Sequence, residues 1–100
     1  MKLVVRAIGV WICAMLGVRS SLAATDLVIA TVNNAHLIEM QRLGKFFEQT
    51  HPDIHLKWVT LEEAVLRQRL TMDLATGSGQ FDVISIGMYE TQVWGKRGWL

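Results

Sequence analysis

Histidines, carboxylates and hydroxyls are where chemistry would first be sought in this chain of 100 residues. His51 and His55 are four apart, a spacing that on a helix would let two imidazoles share a metal ion. Pro52 stands between them and excludes a helix there. In extended chain the two residues lie about 13 Å apart, too far for one ion. They read as surface histidines. The single cysteine, Cys13, excludes an internal disulfide and any zinc site or iron–sulfur cluster built from several thiolates. Gly77-Ser78-Gly79 follows a helical segment and precedes a strand. A phosphate-binding loop has the reverse order and carries a Lys-Ser/Thr pair that is absent here, so this is a turn. Ser20, Ser21, Ser78 and Ser85 show no G-x-S-x-G nucleophile elbow. No paired-carboxylate geometry emerges from the spacing. Nothing points to catalysis, and no metal or cofactor is expected.

Other polar residues suit binding or capping. Asn33 and Asn34 either cap a helix or reach a ligand. His36 and Glu39 lie one helical turn apart beside them, at a helix start that favours acceptors and anions. Arg67, Arg69 and Asp73 read as solvated charges along a helix, with Arg69 and Asp73 paired at i,i+4. Asp82, inside an apolar strand, reads as a buried carboxylate that accepts backbone hydrogen bonds, with direct ligand contact as the alternative.

The elements that must position these groups follow from hydrophobic periodicity. Asp26 to Val32 is a continuous apolar run with β-branched residues, as in a strand covered on both faces. Leu37, Met40, Leu43, Gly44 and Phe47 form one stripe of a helix from Ala35 to Gln49, which Pro52 ends. Ile54, Leu56 and Trp58 alternate with His55 and Lys57, which predicts a strand at the sheet edge. Thr60 and Glu63 have the spacing of a capping box. The helix they open runs from Leu61 to Ala75, with Leu66, Leu70 and Leu74 on one face. Phe81 to Ile86 is a third strand, and Tyr89 to Arg97 a third helix stopped by Gly98.

The β-α-β-α-β-α order predicts an α/β fold with a parallel three-stranded sheet. With the two apolar strands inside and the alternating one outside, the spatial order is 2-1-3. Right-handed crossovers then put helices on both faces. Ligands of open α/β sheets bind beyond the carboxyl ends of the strands where the chain reverses direction across the sheet. Here that point lies between strands 1 and 3, at Asn33, Asn34, Ala35 and His36 and at Gly87, Met88, Tyr89 and Glu90.

The near balance of ten basic against nine acidic residues argues against nucleic acid as a partner. Half the chain is apolar, 51 %, and much of that lies at the front. Lys2 and Arg6 precede an uncharged run from Ala7 to Val18, and Ser21-Leu22-Ala23 follows with small residues at the ends of the triplet. This is the pattern of a secretory signal peptide over residues 1–23. Twelve apolar residues span about 18 Å as a helix, short of the roughly 30 Å hydrocarbon core. Cleavage after Ala23 removes three of the ten basic residues and none of the nine acidic ones, leaving a net charge of −2. Three strands and three short helices make a marginal core. The chain is therefore expected to be the front part of a longer protein, with residues 24–100 a partial domain.

The segments Leu27 to Asn34 (LVIATVNN), Gly44 to Pro52 (GKFFEQTHP), Leu66 to Val83 (LRQRLTMDLATGSGQFDV) and Trp94 to Leu100 (WGKRGWL) form an ordered set. Together they resemble the opening of an ABC-transporter extracellular solute-binding protein. The third segment is most similar to the sorbitol- and mannitol-binding branch. The resemblance implies a two-lobed periplasmic protein of roughly 400 residues that closes on its ligand by hinge motion. This chain would supply the start of the N-terminal lobe. It further implies a sugar or sugar-alcohol ligand, membrane permease subunits as partners, a monomer, and no enzymatic activity. On this reading Asn33, Asn34, His36 and Glu90 hydrogen-bond hydroxyls, and Tyr89 offers its ring to the C–H side of a polyol. The rival reading is the front part of an exported α/β hydrolase whose catalytic residues lie beyond residue 100.

Overall fold

The computed structural model describes residues 23–100, and the expected signal peptide lies outside the described residues apart from Ala23. The order is β1 (Thr25–Val32), α1 (Ala35–Thr50), β2 (Ile54–Leu61), α2 (Glu63–Thr76), β3 (Val83–Ile84) and α3 (Met88–Lys96). The sheet order is β2-β1-β3, and both pairings are parallel. β1 pairs along its whole length with β2, from Thr25 opposite Ile54 to Val32 opposite Leu61.

Alternation along β1 assigns the two faces. Leu27 and Ile29 share an apolar groove with Leu56 and Trp58 of β2 and with Met40, Leu43 and Phe47 of α1. Ala30, on the other face, joins Leu66 and Leu70 of α2 and Trp94 of α3 in the sealed core, with Val32, Leu61, Ile84 and Ile86 packed around it. Helices thus cover both faces, as the crossover rule requires. Gly44 lets α1 approach the sheet: a Cβ there would lie 3.1 Å from Leu56 Cδ1.

Three sequence expectations need correction. The capping box does not form, because Thr60 and Leu61 continue β2 opposite Thr31 and Val32. Ladder hydrogen bonds take that backbone, and Glu62 caps α2 instead, its carboxylate accepting from Ala64 N at 2.9 Å. The third strand is only Val83–Ile84, paired with Ile29 and Ala30 and flanked by hydrogen bonds from Asp82 N to Val28 O and from Ser85 N to Ala30 O, both 2.9 Å. It is an edge strand and Val83 is 47 % exposed, although its composition reads as interior. Asp82 does accept a backbone hydrogen bond, from Val28 N at 2.8 Å, but it is exposed rather than buried.

Asp73 also departs from expectation. Instead of pairing with Arg69 it is buried, and it accepts from the Ser78 hydroxyl and, at 2.7 Å, from Gln80 N. These bonds, the Ser78 hydroxyl foremost, hold its carboxyl below the usual range. They fasten the turn that leaves α2 at Gly77, whose φ of 63° is the left-handed conformation of a helix C-cap. The histidines are exposed, as expected. His51 stacks on Phe47 with ring centroids 4.2 Å apart, and His55 Nδ1 lies 2.9 Å from Glu48 Oε1. Among the described residues no helix is long and apolar enough to cross a membrane.

Candidate solute-binding cleft

The loops after β1 and β3 and the start of α2 all leave the carboxyl edge of the parallel sheet, so polar groups at three helix starts converge there. A cleft of about 270 Å³ opens between α2 and α3. Leu66, Leu70 and Trp94 form its apolar side, and Glu63, Arg67 and Glu90 its charged side. Glu90 is in the first turn of α3, where a carboxylate suits the helix dipole. It is only 8 % exposed.

The charged side is a chain of three groups. Arg67 Nη2 donates to Glu63 Oε1 at 3.1 Å, and Arg67 Nε lies 2.6 Å from Glu90 Oε1. The first contact is a solvated i,i+4 pair of small worth. The second lies against the sealed core, where charge contacts are stronger and an unpaired charge is costly. Glu90 Oε1 is fully buried and, among the described residues, has no hydrogen bond of good geometry. The Arg67 guanidinium is the group that compensates it. On its other side the carboxylate rests against Gly87, where a Cβ would lie 2.7 Å from Oε2. Only glycine leaves the carboxylate in that position.

The residues singled out in the sequence divide into three sets. Glu90 lines this cleft. Asn33 and Asn34 line the neighbouring opening of about 560 Å³, with Thr60, Leu61 and Glu62. Val32 and Glu63 border both openings. Asn34 Oδ1 accepts from Leu37 N at 2.9 Å as the α1 N-cap, so its amide nitrogen remains as a donor. His36 and Tyr89 stand in the first turns of α1 and α3, are exposed, and line neither opening. Arg67 and Glu63 were not singled out for binding. The signal was present: with Leu66 and Leu70 on the core side, residues 63 and 67 fall on the same helical face. What the sequence did not show is that Glu90 would meet them.

Residues 33–100 match the bacterial extracellular solute-binding protein family. The chain belongs to that family. Over 77 residues it is 66 % identical to a mannitol-binding protein of Pseudomonas aeruginosa, a match that covers 77 % of this chain and 18 % of the relative. Among solved structures, an ABC-transporter solute-binding protein of Agrobacterium vitis S4 with bound D-mannitol superposes with a TM-score of 0.68 at 56 % identity. That match covers 73 % of this chain and 18 % of the other. The chain therefore spans about a fifth of the length of these relatives. The expected family and the expected α/β fold with strand order 2-1-3 both hold.

Proposed function

We propose that this chain is the opening part of the first lobe of the substrate-binding component of an ABC importer, specific for a sugar alcohol of the mannitol and sorbitol kind. Residues 1–23 are its cleaved secretory signal, delivery is to the periplasm, and residues 24–100 form one wall of the ligand cleft. The protein captures its solute as a monomer, hands it to membrane permease subunits, and catalyses nothing. The observation that carries the reading is the paired carboxylate Glu90, nearly buried at the carboxyl edge of the sheet, in a segment 66 % identical to a mannitol-binding protein.

Polyol hydroxyls both donate and accept. Glu90 accepts from them, the amide nitrogens of Asn33 and Asn34 donate, and His36 adds an imidazole at the rim. Tyr89 covers the C–H side of the chain when the cleft closes. A site made to hydrogen-bond hydroxyls rejects analogues that lack them, because its own polar groups are left unpaired.

Titration calorimetry of the full-length protein that carries this segment tests the reading. Saturable binding of D-mannitol or sorbitol is expected. Glu90→Ala should weaken it by roughly 1–3 kcal/mol, the usual loss when a hydrogen bond to a charged group goes. A chimera that splices this segment into the Pseudomonas aeruginosa protein, in place of its matching stretch, should keep mannitol affinity. Absence of polyol binding by both proteins overturns the reading, and an unchanged Glu90→Ala affinity removes Glu90 from the site. N-terminal sequencing of exported protein should begin at Ala24; a chain beginning at Met1 overturns the signal assignment.

A further inference from the structure

Arg67 has five N–H donors in a planar fork. Two of them face carboxylates, Nη2 toward Glu63 Oε1 at 3.1 Å and Nε toward Glu90 Oε1 at 2.6 Å. The Nη1 group takes part in neither contact. Its side chain is half exposed and that of Glu63 largely so, whereas the side chain of Glu90 is 10 % exposed. Among the described residues that line the cleft the guanidinium is thus the one cation, beside two carboxylates. It fixes one oxygen of Glu90, while the bare Cα of Gly87 leaves room for the other.

We infer that Arg67 determines the charge specificity of this cleft. Resting on the polyol reading above, it makes the site accept neutral polyols and refuse cationic amino-polyols. The physical reason is occupancy of the charge. Glu63 is largely exposed and screened by solvent, whereas Glu90, the carboxylate removed from water, is already paired with the guanidinium, so an ammonium brought to Glu90 would meet like charge from Arg67 instead of an unpaired carboxylate. A neutral diol meets no such repulsion. It can accept from the guanidinium and donate to Glu90 at adjacent positions. Arg67 therefore acts as a positioning residue for Glu90 and as a gate against cations.

The test compares D-mannitol with its protonated 1-amino-1-deoxy analogue near neutral pH, in the full-length protein. Wild type should bind mannitol and discriminate against the amine by about tenfold or more. Arg67→Gln should lose mannitol affinity by about tenfold or more and reverse the preference, because the nearly buried Glu90 carboxylate is then left unpaired to meet the ammonium. Arg67→Lys keeps the charge without the fork, so it should restore discrimination against the amine while recovering only part of the mannitol affinity. If Arg67→Gln does not fold, Arg67→Lys and Glu63→Gln carry the test: both should still refuse the amine, since each keeps a cation beside Glu90. A reversed preference in either, or an Arg67→Gln protein whose preference matches wild type, overturns the inference. Wild type that binds neither solute overturns the polyol reading itself, which separates the two failures.

Discussion

On the α2–α3 face of the sheet, Ala30, Leu66, Leu70 and Trp94 are sealed from water, whereas α1 on the opposite face has no buried side chain. Ile38, Met40, Leu43 and Phe46 of α1 are each about half exposed. A groove of about 360 Å³ between α1 and the sheet is lined almost wholly by apolar residues. The helix on the open face has the clearer amphipathic pattern, so the pattern alone does not set burial. The sealed face has two helices packing on it, and α1 stands alone on the other. The difference extends to charge. Against the sealed face Arg67 meets a carboxylate removed from water, while on α1 the Arg42–Glu39 pair sits in open solvent, its side chains 60 % and 54 % exposed.

The largest effect that tests this contrast is a cavity. Leu70 is 1 % exposed, so Leu70→Ala should cost about 2–5 kcal/mol. Leu43→Ala, 47 % exposed on α1, should cost about 1 kcal/mol or less, because little area is lost. Urea unfolding of this chain with both variants checks the ratio. Equal losses would mean that the α1 face is as well packed as the other.

Gly44 is where the open face does become tight, so a larger side chain there probes the one close approach of α1 to the sheet. Gly44→Val puts a branched side chain against Leu56 and the Trp58 ring. Overpacking of this kind costs about 1–3 kcal/mol. A fully stable Gly44→Val protein would show that α1 can lift off the sheet without loss.

How far the sequence foretold all this depends on the distance over which each signal acts. The parallel 2-1-3 sheet was legible because buried and half-buried strands differ in period, and that period is local. The end of β2 was not, because Thr60 can cap a helix or continue a ladder, and its partner Thr31 lies far away in the chain. The same holds for the site. Glu90 was legible from its place after an apolar strand, but its contact with Arg67 joins two helices across 23 positions. Asp73 looked like an ordinary helix-surface charge. Its partners Ser78 and Gln80 come from the turn that follows, and only the path of that turn brings them back.

Asp73 gives the pH-dependent prediction. Its folded carboxyl lies below the ordinary value of 3.8, through bonds from Ser78 and Gln80 that favour the charged form. On acidification the unfolded chain therefore takes up its proton first, and the stabilisation is lost as pH falls from 3.8 through the depressed folded value. Above 3.8 the contribution is fully present. Asp73→Asn should lower the neutral-pH midpoint and flatten the acid limb of the stability profile. Thermal melts from pH 7 down to pH 3 would show it, and an unchanged acid limb would assign that loss to other carboxylates.

The smallest effect should come from the exposed arginine. Arg42 Nη2 lies 2.5 Å from Glu39 Oε1, a shorter contact than the one that joins Arg67 to Glu90. Distance alone would rank the Arg42 pair first. Solvent reverses that order, because water competes for both charges, salt screens them, and holding two long side chains together costs rotamer entropy. The Glu39 carboxyl is lowered by this hydrogen bond, which records a local preference for the charged form rather than a contribution to folding. Arg42→Ala should therefore leave the urea midpoint unchanged at both low and high salt. In the full-length protein it should also leave the proposed polyol affinity unchanged, since Arg42 lies on the α1 side, away from the cleft that Arg67 borders. A clear drop in the midpoint that disappears at high salt would show the open face to be held by charge, and the contrast between the two faces would then have to be redrawn.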